Sequence, residues 1–168
     1  MIPGALALAV AAGIVRADAS PQDLGKSLTF MGAEKAGNAT GTIPAWDGGL
    51  TQCPAGHKSG GHYPNPFPQE RPLFTIDAAN MGKYQAPLSP GQMALLKKYP
   101  SWKMQVYPTR RTAAFPKAHY DDTVANATRA QLVDGGNGVT GTKGGVPFPI
   151  PKSGQEAIWN HLLRYRGD

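Results

Sequence analysis

Prolines fix what this chain can become. Between residues 54 and 72 stand Pro54, Pro64, Pro66, Pro68 and Pro72. Each removes a backbone donor and locks φ, so neither a helix nor an interior strand runs through the stretch. The punctuation returns in "GGVPFPIPKSG", where Pro147, Pro149 and Pro151 hold their predecessors extended. With 21 glycines added to 16 prolines in 168 residues, the composition approaches low complexity. The prolines and glycines alternate with aromatic and apolar anchors, however, and no repeat is present. The pattern therefore predicts long ordered loops laid over a core.

Between the loops the signals are short. "AEKA" is weakly helical, with Gly37-Asn38 as its stop. "PLFTI" reads as a brief strand, and Asp77 as the cap of a short helix running through Asn80 to Tyr84. "SPGQMALLKKYP" is stronger. Ser89 is placed to cap, Pro90 opens the first turn, Gln92 completes a capping box and Pro100 ends the helix. Met93, Leu96 and Tyr99 share one side. "WKMQVYPT" alternates, with Trp102, Met104 and Val106 on one face, and predicts a half-buried strand. "TAAFPKAHY" reads as extended. "DDTVANATRAQLV" reads as a helix opened by Asp121 or Asp122, its inner side formed by Val124, Ala127, Thr128, Gln131 and Leu132. "DGGNGVTGTKGG" is a hairpin or turn-rich loop. The last helix opens on the capping box Ser153-x-x-Glu156 and carries the apolar stripe Ile158, Trp159, Leu162 and Leu163, which must find a core. Asn160, His161 and Arg164 face elsewhere. Two or three strands make no sandwich, and the helices make no four-helix bundle. The expectation is that the chain is the N-terminal piece of a larger protein.

The first residues give an address. The apolar run from Ala5 to Val15 is shorter than the ~20 residues that a bilayer-spanning helix needs. Ala17-Asp18-Ala19 supplies a cleavage pattern, so residues 1–19 read as an export signal and residues 20–168 as one portion of a larger domain. No basic residue precedes the run. The formal charge of +6 favours anionic surfaces. The basic clusters Lys97-Lys98, Arg110-Arg111 and Arg164/Arg166 are small and match no nucleic-acid motif, so no nucleic-acid partner is expected. Cys53, the lone cysteine, excludes an internal disulfide.

Chemistry is weakly signalled. "GTKGG" lacks the order of a phosphate-binding loop. Cys53, His57 and His62 lie close together, but a tetrahedral site needs a further distant ligand such as His119 or an aspartate. His119, Asp121 and Asp122 suggest acid–base work, although the aspartates serve equally as helix caps. Asn38-Ala39-Thr40 and Asn126-Ala127-Thr128 match the glycosylation sequon. No catalytic residue, metal or cofactor is expected. The remaining signal is aromatic. Trp102, Tyr107, Phe115, Phe148 and Trp159 are candidates for lining an apolar concavity, with Arg110, Arg111 or Arg164 beside it to meet an acidic head group.

Taken together, "LTFMGAEKAGNATGTIPAWDGGL", "PLFTI", "LSPGQ", "YPTRRTAAFP", "LVDGGNGV" and "GGVPFPIPKSGQEAIWNHLLRYRG" resemble the proteins carrying domain of unknown function 1329. These are exported proteins of Gram-negative bacteria, often labelled outer-membrane lipoprotein-sorting proteins. The resemblance implies an α+β fold of the LolA/LolB kind: a curved antiparallel sheet wrapped around helices, incomplete in this piece, with long Gly/Pro-rich loops and short helices. It implies a periplasmic location, possible outer-membrane association, and a carrier or transporter-accessory role for lipid, lipoprotein acyl chains or another hydrophobic molecule. A resistance–nodulation–division type exporter or an outer-membrane protein is the implied partner. The alternatives are a non-catalytic interaction module at the outer membrane or exporter, and a metal-dependent enzyme built on His57 and His62.

Overall fold

The computed structural model describes residues 19–166. The expected export signal lies outside the described residues, apart from Ala19. The chain forms two compact units: Ala36–Ala114 is one, and the residues up to Lys35 join those from Phe115 onward to make the other.

The Ala36–Ala114 unit is built on a small apolar core. Strand β1 (Phe74–Ile76) pairs antiparallel with β2 (Met104–Val106), setting Ile76 opposite Met104. Helix α1 (Pro90–Lys98) begins as its sequence dictates. The Ser89 hydroxyl accepts from Gln92 N at 3.2 Å, and the Gln92 side chain accepts from Ser89 N at 2.9 Å. Leu96, fully buried, packs with Ile76 and Leu88, and Met93, Trp102, Met104 and Val106 close around them. Asp77 behaves differently from its expected role. Its carboxylate accepts from Ala79 N and Asn80 N, and the turn that follows, Met81–Tyr84, is 3-10 with Asn80 at its cap position. Residues 51–72 hold no helix or strand.

The second unit is pinned by polar side chains. Helix α2 (Lys117–Arg129) starts at Pro116, several residues before the expected aspartates. The "PKAHY" stretch, expected to be extended, is its first turn. Asp121 pairs with Lys117 across one turn at 2.6 Å and does not cap. The buried side of α2 is His119, Thr123 and Asn126, a different face from the expected one. Gln131 and Leu132 leave the helix for strand β3 (Gln131–Val133), which pairs with β4 (Gly138–Thr140) in the expected hairpin. "AEKA" is not helical. Glu34 bridges to Leu28, and Lys35 N donates to Ser27 O at 3.0 Å.

The strip from Gly145 to Pro149 is buried throughout and forms neither helix nor strand. Asn126, wholly buried, donates to Gly144 O at 2.9 Å and to Val146 O at 3.3 Å, and accepts from Lys143 N at 3.3 Å. The Thr123 hydroxyl accepts from Val146 N at 3.0 Å. On the other side, Asn160 accepts from Phe148 N at 2.9 Å and donates to Phe148 O at 2.6 Å. Side-chain amides thus replace the ladder that prolines forbid. Gly145 is required here: its φ is +58°, and an added Cβ would lie 2.5 Å from Thr123 N.

Helix α3 (Gly154–Leu162) is capped by Ser153, whose hydroxyl accepts from Glu156 N at 3.2 Å. The Glu156 carboxylate returns to Lys152 N. The expected burial of its apolar stripe does not occur. No residue of α3 is fully buried, and Ile158, Leu162 and Leu163 are exposed.

Among the described residues there are two sheets of two strands each, and neither is curved or closed. The curved antiparallel sheet implied by the LolA/LolB likeness is therefore corrected to a small α+β arrangement. Three-residue strands bounded by glycine and proline are too short to curve around a helix.

Candidate functional site

A concavity lies within the α2/α3 unit. It has a volume of about 280 Å³ and is lined by His119, Thr142, Gly144, Gly145, Pro147, Leu163 and Tyr165. Helix α2 supplies His119. The pinned strip supplies one wall, and the residues after α3 supply another. The loop can approach α2 because Gly144 and Gly145 have no side chains to keep it away.

His119 is the informative residue. It is 8% exposed, and its Nε2 is buried with no hydrogen-bond partner. Its ring lies 5.0 Å from Phe115 and 5.0 Å from Tyr165, centroid to centroid. Phe115 is itself held by its backbone N–H, which donates to the Tyr120 hydroxyl at 3.0 Å. Burial holds the imidazole below its ordinary pKa, against an opposing pull from Asp122. The ring is thus neutral near pH 7. An unpaired buried nitrogen costs about 1–3 kcal/mol, so any group that pairs with it gains binding energy.

The expected lining residues are divided between the two units. Trp102, Tyr107, Arg110 and Arg111 belong to the Ala36–Ala114 unit; Phe115, Phe148 and Trp159 belong to the other. Trp102 packs on the Leu96 core. Tyr107 is exposed and donates its hydroxyl to Gln105 at 3.0 Å. Phe148 is buried, and Trp159 donates its indole N–H to Gly136 O at 2.9 Å. Arg110 pairs with Glu70 and stacks 4.9 Å from the Phe67 ring. Arg111 lies 3.4 Å from both Ala36 O and Pro44 O. Both arginines line a second concavity of about 240 Å³, as braces between loops. Arg164 donates to His161 O at 2.8 Å at the end of α3.

His57 stacks on Tyr63 at 5.6 Å, while Cys53 and His62 are exposed. Among the described residues, no group of three His, Cys, Asp or Glu is placed to hold a metal. The Asn126 side chain is sealed in the interior, and the Asn38 side chain closes its own loop onto Thr42 and Ile43 N. Sequence reasoning places His119 among acid–base candidates but misses Thr142, Leu163 and Tyr165 as its neighbours. No periodicity links them, because two lie in irregular chain and Leu163 is just past a helix end.

Comparison with known proteins bears on this arrangement. Residues 75–168 match the family described as "Protein of unknown function (DUF1329)". The "Uncharacterized protein PA3922" of Pseudomonas aeruginosa is 49% identical over 168 residues, which are 98% of this chain and 37% of that protein. The chain thus spans little more than a third of the curated relative it matches. No solved structure matches it. Neither similarity carries a lipoprotein-sorting role, and the two short flat strand pairs conflict with a LolA-like lipid carrier, so that expectation is withdrawn. With more than half of its residues covered, the chain belongs to the DUF1329 family of proteins of unknown function.

Proposed function

We propose that this chain is a binding module of an exported protein, without catalytic chemistry of its own. Its ligand is a small hydrophobic molecule of about one ring, bearing a single hydrogen-bond donor. The observation that supports this reading is His119, a neutral imidazole that lines the cavity and whose buried Nε2 has no hydrogen-bond partner. Pro147, Leu163 and Tyr165 offer apolar surface to a ring, and the Thr142 residue adds a second polar contact. At about 280 Å³ the cavity falls just below the usual range of ligand sites, roughly 300 to 1,000 Å³. That size suits a ring rather than an acyl chain.

Phenol is a minimal probe, with a ring and one O–H. Ligand-detected NMR titration is expected to show saturable phenol binding. Anisole, which keeps the ring and loses the donor, is expected to bind roughly three- to tenfold more weakly, the worth of one ordinary hydrogen bond. His119→Phe is expected to erase that difference. Equal affinities for the two probes, or no binding of either, would contradict the reading.

A further inference from the structure

The outer side of α3 is apolar and uncovered within its unit. Ile158 is 59% exposed and Leu162 is 50% exposed. Four residues apart, they are neighbours on one side of the helix. The helix is fastened at adjoining positions. Gln155 donates to Gly135 O at 3.3 Å, Trp159 to Gly136 O at 2.9 Å, and Asn160 holds both polar groups of the Phe148 backbone. A nine-residue helix does not persist unaided, and an apolar stripe facing inward usually supports it. Here polar ties hold the helix, and two large aliphatic side chains beside them are left exposed.

We infer that in the complete family polypeptide the Ile158–Leu162 face is covered by the part of the same chain that lies outside these 168 residues. The relative at 49% identity has most of its length outside the match, since the matched residues are 37% of it. The size of the patch selects this occupant. A separate partner needs about 800 Å² on each side for a stable interface, far more than two side chains on one short helix supply. A segment joined covalently is already at millimolar effective concentration, and a small patch suffices to place it. A membrane surface is disfavoured because the only aromatic residue of the helix, Trp159, is turned to Gly136.

The test is a photo-crosslinking residue at position 158 of the complete polypeptide, with one at exposed Lys97 as control. Peptide mapping is expected to find crosslinks from position 158 to the same chain outside the matched residues. Crosslinks to a second copy, a different protein or lipid would overturn the inference, as would a yield no higher than the control. Because Ile158 is exposed within its unit, Ile158→Asp does not threaten the unit itself. It is expected to lower the Tm of the complete polypeptide by at least about 2 °C, while Ile158→Val does not. Equal Tm values for both variants would also overturn it.

Discussion

Asn126 shows how far a single polar residue can stand in for secondary structure. Its carboxamide is wholly buried and meets Gly144 O, Val146 O and Lys143 N. Substituting alanine leaves these backbone groups unpaired, and each such loss costs about 1–3 kcal/mol. Asn126→Ala is therefore expected to destabilise the chain by about 3 kcal/mol or more in urea denaturation followed by tryptophan fluorescence. A loss below about 1 kcal/mol would show that the strip is held by something else. In the sequence this asparagine sits in a sequon, and its type suggests the surface. Its burial is set by a loop 17 to 20 residues further on, as the separation of its bonded partners shows. No local pattern encodes that meeting.

At the scale of elements, legibility followed from where the stabilising contacts lie in sequence. Helix α1 was readable to its ends because its cap, box and stop are local. Ser89→Ala is expected to cost about 1 kcal/mol in the same urea assay, and Ser89→Asp is expected to restore most of it. No change on Ser89→Ala would mean that the cap is redundant with packing. Strand β2 and the β3–β4 hairpin were legible for similar reasons: alternation in one, turn residues in the other. Helix α2 begins several residues before the aspartates that its sequence offers as caps. Aspartate is the better cap by type, but Pro116 opens the helix and Asp121 serves Lys117 one turn away. The helix then ends before Gln131 because Leu132 pairs with Val139, a nonlocal contact that overrides helical periodicity. In α3 the cap was legible and the destination of the stripe was not.

At the scale of the molecule, the chain returns to its first unit after building a second, so residues close in sequence are assigned to different units. Arg111 and Phe115 fall on opposite sides of that division. The family was legible from the segments from "PLFTI" to the end, where residues 75–168 match. The curved sheet expected from the likeness was not found, because composition favouring short strands cannot reveal how those strands combine. What remains as a site is His119 with its cavity.

The dependence of phenol affinity on pH tests that site most directly. Only the neutral imidazole can accept the phenol O–H, and burial has moved the His119 pKa below the ordinary value. Affinity should therefore hold from about pH 8 toward the ordinary histidine value near 6.5 and be lost at lower pH, as acid protonates the ring. His119→Phe should show weaker binding with no such fall. A phenol affinity that falls with acid in His119→Phe just as it does in the unsubstituted chain would contradict a role for His119 in binding.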